Sequence, residues 1–501
     1  MNKKGLISLS TCLLLLGVIS CTQQNNLSSE NIESISSDLF SSSGALSSKS
    51  EEQSVASSEK LSSSFDSEGR KSEIVSSEII EDASYVAEVT FPTLIDSSKE
   101  LSVSFELKES MIPNNSSVFS KDLALFAVGN CIANQSKEMI TKFYNDLTFD
   151  NVQLSKTYES GHNESSIGYV FAHKKLKNTN LITVTLQGYD YGLEWADNFN
   201  IGIEGEHAGF AARADEVNMN LKVYCLSNNY SKDNSMFLIS GYSRGGAVAN
   251  LLGKRIDDEE FLATKENVYV YTLESPKGGL PTADPDKYNN IFNIFNSADL
   301  ITYMPPTEYG FIRYGKDIDI YNENLDEMLS SYNEILTLAP FNEQLTGIVE
   351  KETDLPQYII NSMISYSQPD QDSPKQIQNR EEFVNNYQAS IGYALSLFMS
   401  LKTSTTDKMM ADISEKSMWE LLGLLSEDGL YDFLKPYLDE DGIQYDDEEL
   451  KGHISVAIDF VSGPGSSILI LATAEGAFQR MIQMHYAETD YVLLKNYSIS
   501  E

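Results

Sequence analysis

The sequence predicts an α/β protein with a largely parallel central sheet, and three observations carry that expectation. Between about residues 120 and 320 short apolar runs alternate with helical periods. Those runs are apolar on both faces, as the strands of a buried parallel sheet are. From residue 322 to 490 helical periods dominate without strand alternation, which reads as a helical elaboration on the sheet.

The elements justify themselves in order. "YVAEVTF" (85–91) and "LSVSFEL" (101–107) alternate with period two and read as a hairpin. "SKDLALFAVGNCIANQS" opens on Ser120, a capping residue, and carries apolar positions at helical spacing. "SIGYVFAHKKL" and "LITVTLQG" read as buried strands with Asn178 in the turn between them, and a helix follows from about Ala208 to Leu226. Then come "FLISGYSRGGAVANLLG" (237–253), "VYVYTLES" and "NIFNIFNSAD". Helical patterns such as "EEFVNNYQASIGYALSLFMSLK" and "SILILATAEGAFQRMIQMH" close the chain.

The first 21 residues resemble an export signal: Lys3 and Lys4, an apolar run from Leu6 to Ile19, then Val18-Ile19-Ser20-Cys21. The run is too short to span a bilayer, and a polar segment follows it. Its end resembles the lipobox of bacterial lipoproteins, which implies that Cys21 is lipidated and that the protein is held on the outer face of a cell membrane. Of the 50 residues from Ser28 to Ser77, 21 are serine, so the segment buries too little apolar surface to order itself. The expected organisation is a signal over 1–21, a disordered tether over 22–81, an α/β core over 82–320, a helical insertion or lid over 321–465 and a C-terminal segment over 466–501.

The chain carries 74 acidic against 36 basic residues and a formal charge of −38. Such a surface repels phosphate backbones, so nucleic acid is excluded as a partner; protein partners are not legible. No metal-ligand spacing occurs, and neither a metal nor an organic cofactor is expected. Cys131 and Cys225 are the two cysteines of the folded part, and apolar contexts favour plain buried thiols over a disulfide.

The stretch with chemical content is Gly241-Tyr242-Ser243-Arg244-Gly245. Two readings stand: a tight turn that needs glycine, or a serine lifted out as a nucleophile between a strand ending at Ile239 and a helix starting at Arg244. The second requires small residues two before and two after the serine, which Gly241 and Gly245 supply. A helix N-terminus aimed at the same spot gathers N–H groups where an oxyanion would form, and the Arg244 N–H, next after the serine, is the first such donor.

Four stretches in a fixed order resemble the class 3 (fungal-type) lipases and their bacterial α/β-hydrolase relatives: "LITVTLQGYDYGLEWADNF", "HAGFAARADEV", "ISGYSRGGAVANLL" and "NIFNSADLITYMPP". The resemblance covers about residues 115 to 315 and a short match near His485. It implies an α/β-hydrolase-like fold, Ser243 as nucleophile, Asp299 as the acid and a lipid or other carboxylic ester as substrate. Asp317 and Asp319 are rivals for the acid, but their polar alternating strand points them to solvent. Five histidines exist: His162, His173, His207, His453 and His485. The first three precede Ser243, against the Ser, Asp, His order of this class; His207 matches the "HAGF" position, a structural one in the family. His453 reads as a surface or helix-start residue, and His485 resembles the family's C-terminal histidine. The resemblance also implies Tyr189 as second oxyanion donor. Here the chain departs from the family, having Gln187-Gly188-Tyr189 where Arg-Gly-Thr or Arg-Gly-Ser is usual. Trp195 and Asp197 would hold that loop. The 186 residues between Asp299 and His485 far exceed the compact lipases. Two other readings remain open: a hydrolase scaffold kept for surface binding, and a thioesterase or acyl transferase using the same three residues.

Overall fold

The computed structural model describes residues 83–92, 100–159, 166–177, 179–188, 195–321, 354–365, 379–416, 424, 426–462 and 484–498, all within one compact unit. The expected signal with Cys21, the tether, His162 and Tyr189 lie outside the described residues.

Strands β1 (Ser84–Pro92) and β2 (Glu100–Lys108) form an antiparallel two-stranded sheet. Their alternation buries Ala87, Val89, Phe91, Val103, Phe105 and Leu107 on one face, as the period-two pattern requires. Helices α1 (Lys121–Ala133) and α2 (Lys137–Asp146) follow. Each is capped by a serine: Ser120 Oγ accepts the Leu123 N–H at 3.2 Å, and Ser136 Oγ accepts the Met139 N–H at 3.2 Å.

A seven-stranded sheet forms the centre, in the order β3 (Asp150–Leu154), β4 (Tyr169–Lys175), β5 (Asn180–Leu186), β6 (Ser235–Tyr242), β7 (Val268–Leu273), β8 (Ile291–Phe295) and β9 (Lys316–Asp319). The pairings from β5 to β9 are parallel, whereas β3 and β4 join antiparallel at one edge. The sheet is therefore mixed, with its parallel part where alternating strands and helices were expected. Between β5 and β6 lie a short helix, α3 (Trp195–Phe199), and α4 (Ala208–Ser227); α5 (Arg244–Glu259) joins β6 to β7. Strand β6 runs three residues beyond the expected end at Ile239, because its parallel register with β7 continues to Tyr242↔Leu273.

Alternate residues of the central strands feed two separate cores. Leu238, Tyr269, Tyr271 and Phe292 pack with α1, α2, the β1–β2 hairpin and the C-terminal helix on one face. Phe237, Ile239, Val268 and Val270 pack with α4 and α5 on the other. Cys131 belongs to the first core and Cys225 to the second, so the sheet stands between them and both are free, buried thiols.

The described residues of the C-terminal part are helical: α6 (Asp354–Ser365), α7 (Arg380–Phe383) running through a π-helical turn (Val384–Gln388) into α8 (Ala389–Met399), α9 (Thr403–Glu415), α10 (Glu427–Asp441), α11 (Asp447–Ser462) and α12 (Ala487–Asn496). Arg380 fixes α7 to the loop before α4. Its guanidinium donates to the carbonyl oxygens of Ile201 (2.6 Å), Gly202, Glu204 (3.0 Å) and Gly205 (2.8 Å), and it stacks 4.4 Å from the Phe311 ring. Gln388 Oε1 accepts the Ile201 N–H at 3.2 Å. Among the described residues no helix is long and apolar enough to cross a membrane.

One buried acid sets a pH dependence for stability. Asp257, in α5, is pushed up to about 7 by burial, partly offset by the Asn290 amide 3.2 Å away and by Lys265 and Lys287, while Asp258 adds to the rise. The folded chain therefore holds a proton that the unfolded chain releases near 3.8, so stability falls as pH rises from about 4 to 7. Asp257→Asn removes that loss. Its melting temperature is expected to exceed the wild type's increasingly across this window, the stability difference reaching on the order of a few kcal/mol at the neutral end. Parallel thermal melts at stepped pH check it; curves of equal slope would refute it.

Candidate active site

The site stands at the carboxyl edge of the parallel strands. β6 ends at Tyr242 and α5 begins at Arg244, leaving Ser243 alone in the bend with φ 54° and ψ −125°. That backbone is strained for a residue with a side chain. It is held because the Ser243 N–H donates to Leu273 O at the end of β7 (2.8 Å) and Ser243 O accepts the Ala247 N–H.

The glycines make this bend possible. A Cβ on Gly241 would stand 2.1 Å from Gly245 O, and one on Gly245 would stand 2.5 Å from Leu186 O and 2.7 Å from Gln187 O. Gly188 is equally constrained, since a Cβ there would meet Tyr242 O at 1.9 Å. The Gln187-Gly188 backbone thus lies directly against the bend, delivering the chain toward position 189.

Asp299 follows β8, and His485 lies in the turn before α12. The structure brings the two together with Ser243: His485 Nδ1 is 2.7 Å from Asp299 Oδ2, and His485 Nε2 is 2.8 Å from Ser243 Oγ. All three are buried, Ser243 being the most accessible at 8%. The Asp299 carboxylate takes the Nδ1–H, which leaves Nε2 to accept the Ser243 hydroxyl proton. Asp299 Oδ1 also accepts the Ile301 N–H at 2.9 Å, which fixes the carboxylate plane.

The other candidates go elsewhere. His173 bonds Asn180 Oδ1 at 3.1 Å in β4 and stacks on Tyr230. His453 lies within α11 rather than at a helix start, 3.0 Å from Ser390 Oγ and stacked on Tyr393. His207 caps α4: its Nδ1 accepts the Phe210 N–H, and its Nε2–H donates to Asn198 O at 3.2 Å. Burial holds it neutral, down to about 3. Asp317 pairs with Arg313 at 2.6 Å, and Asp319 Oδ1 accepts the Tyr321 and Ser297 N–H groups. Asp197 forms ion pairs with Arg244 (2.9 Å) and Arg213 (3.0 Å), and the Arg244 guanidinium also donates to Ser166 O. The Arg244 side chain thus ties the first turn of α5 to α3, a task beyond its expected backbone role.

Four residues that sequence reasoning passed over complete the surroundings. The Tyr242 hydroxyl donates to His485 O at 2.7 Å, and the Asn296 amide donates to Met484 O at 3.3 Å, so the turn carrying His485 is held from the end of β6 and from the residue just past β8. Glu274 and Asp490, both fully buried, lie behind Asp299. Adjacency to Ser243 and Asp299 was the one signal for Tyr242 and Asn296; nothing local marked the two acids.

The fold and site together define an α/β chain with a serine, a histidine and an aspartate hydrogen-bonded in series at a strand-to-helix bend. No family model matches the chain. A lipase of Rhizomucor miehei is 25% identical to it over 118 residues, 22% of this chain and 31% of the lipase. The chain thus matches about a third of that relative's length. Among solved structures, a triacylglycerol lipase described as having a serine protease triad at its catalytic centre is 17% identical, covering 41% of this chain and 80% of its own, with a TM-score of 0.32. The Rhizomucor miehei lipase propeptide complex is also 17% identical, covering 40% and 68% with a TM-score of 0.33. The lipase of Rhizopus microsporus var. chinensis is 15% identical, covering 42% and 80% with a TM-score of 0.32.

Proposed function

We propose that this chain is a serine ester hydrolase of lipase or carboxylesterase type with an α/β-hydrolase fold, carried on the outer face of a bacterial membrane by a lipid on Cys21. The observation that carries the chemistry is the unbroken series Asp299–His485–Ser243, with the serine on a strained bend at a helix N-terminus. The local likeness to a lipase supports the choice of ester over other acyl compounds.

In this reading Ser243 Oγ attacks the ester carbonyl while His485 Nε2 takes its proton. The negative oxygen of the tetrahedral intermediate is met by the Arg244 N–H and, from the loop after Gly188, by that of Tyr189. His485 returns the proton to the leaving alcohol, and a water activated by the same ring then releases the acid from Ser243. Asp299 keeps the proton of the resting imidazole on Nδ1 and stabilises the imidazolium when it forms. A diacylglyceryl group on Cys21 offers two chains, as stable anchoring requires. Some 60 residues of tether would then give a reach on the order of 40 Å, within range of lipids and acylated wall components.

The test is stoichiometric labelling of the full chain by a fluorophosphonate probe. Labelling of the wild type, absent from Ser243→Ala and strongly slowed in His485→Ala, is expected. A folded wild type that takes no label refutes the hydrolase reading and favours a binding scaffold, and labelling that survives Ser243→Ala refutes the nucleophile.

A further inference from the structure

Behind the serine–histidine–aspartate series lies a group of carboxyls that the reaction above does not use. Glu274 leaves the end of β7, between the strand that carries Ser243 and the strand that leads to Asp299. Its backbone takes φ 46°, unusual for a side-chain-bearing residue, and the side chain is wholly buried. Oε1 accepts the Asn296 N–H at 2.9 Å, whereas Oε2 has no donor among the described residues. Ligand atoms of Glu274, Asp299 and His485 lie within 4.8 Å of one another. From α12, Asp490 faces Glu274 at hydrogen-bonding range, and neither of its own carboxyl oxygens meets a donor among the described residues.

The groups acting most strongly on this pair are themselves acidic. Glu274 is faced by Asp490 and Asp299; Asp490 is faced by Glu274, Asp299 and Glu488, with Cys131 of α1 close by. Burial first, and these negative neighbours second, push Glu274 well above the usual carboxylate range, and burial does the same to Asp490. Three adjoining carboxyls out of contact with water cannot all be ionised. A proton on Asp490 turned to Glu274, and one on Glu274 turned to Asp299, convert mutually repelling acceptors into donor–acceptor pairs.

We propose that Glu274 is a positioning residue for the candidate active site: protonated, with Asp490 protonated behind it, it donates to Asp299 and fixes the carboxylate that receives the His485 Nδ1–H. The proposal rests on the hydrolase reading for its catalytic consequence, and its geometry can be read without catalysis. Above the pH at which Glu274 ionises the donor is lost and a negative charge stands against Asp299, so the array loosens on the alkaline side.

The full chain is compared with Glu274→Gln, which keeps a neutral donor of the same shape, and with Glu274→Ala. Two readouts are followed from neutral to alkaline pH: the downfield proton resonance of the His485 Nδ1–H, and the rate of fluorophosphonate labelling. Wild type and Glu274→Gln are expected to share the resonance and label within about threefold at neutral pH. Glu274→Ala should lose the resonance and slow roughly 10-fold or more. At alkaline pH the wild type should decline while Glu274→Gln does not. A folded Glu274→Ala that keeps both resonance and rate, or a Glu274→Gln that falls as far as it does, overturns the proposal. Should Glu274→Ala fail to fold, the alkaline limbs of wild type and Glu274→Gln decide alone, and coincident limbs overturn it. The expected resonance pattern in a wild type that takes no label upholds the positioning role and sinks only the hydrolase reading.

Discussion

Ser243→Ala and His485→Ala are each expected to lower kcat/KM for a short-chain p-nitrophenyl ester by roughly 10⁴- to 10⁶-fold, and the double variant should lose little more than either. The reason is the serial geometry: Nε2 has the one hydroxyl at 2.8 Å to deprotonate, and without either partner the other has no proton to exchange. Additive losses would mean that the two side chains do not act as a unit. Stability separates two replacements that kinetics cannot. At φ 54° a Cβ is strained and glycine is not. Ser243→Gly should therefore be as inactive as Ser243→Ala yet melt higher, by about 1 kcal/mol or more in stability. Equal melting temperatures for the two would refute the strain.

Gly241→Ala carries the second large effect, and it acts on the fold. The added Cβ would stand 2.1 Å from Gly245 O, 2.5 Å from Gly245 C and 2.9 Å from Gly246 N. All three atoms are backbone at the start of α5, so no side chain can swing aside. The first turn of the helix must move, and the strand pairing beside it with it. A loss of roughly 3 kcal/mol or more is expected, seen as poor yield of folded protein or a large drop in melting temperature. Gly392→Ala, inside α8 where a Cβ meets nothing within 4 Å, is the control and should be neutral or stabilising by about 1 kcal/mol. If Gly241→Ala melts like the control, the bend is not closed by its glycines.

The question of serine against glycine in this stretch therefore resolves into both. Glycine is needed by the backbone of the bend, and the serine it exposes is the residue that meets His485. Much of this was legible because its causes are local. Apolar runs of four to eight residues bounded by helical periods mark β5 to β8, and the strand-then-helix change of pattern marks the bend. Strand β3 was not legible: Asp150–Leu154 sits at a sheet edge and offers only two partly buried apolar residues, Val152 and Leu154, too short an alternation to report it. His485 was read against a polar break, whereas Tyr486 to Asn496 opens a helix whose Glu488 and Asp490 are buried. Acidic residues in a first helical turn read as solvent-facing. Only the packing of α12 behind β7 puts Asp490 against Glu274, and that proximity spans more than two hundred residues of sequence.

Arg380 has a mechanical corollary. One guanidinium collects carbonyls from 201, 202, 204 and 205 and lies flat on Phe311. It acts as a rivet, because tilting α7 away from the sheet would strand a buried cation and several acceptors in a single step. Helix α7 and the loop ahead of His207 are thereby fastened together at a single residue. That loop follows directly on α3, whose Asp197 pairs with Arg244, the residue next after Ser243.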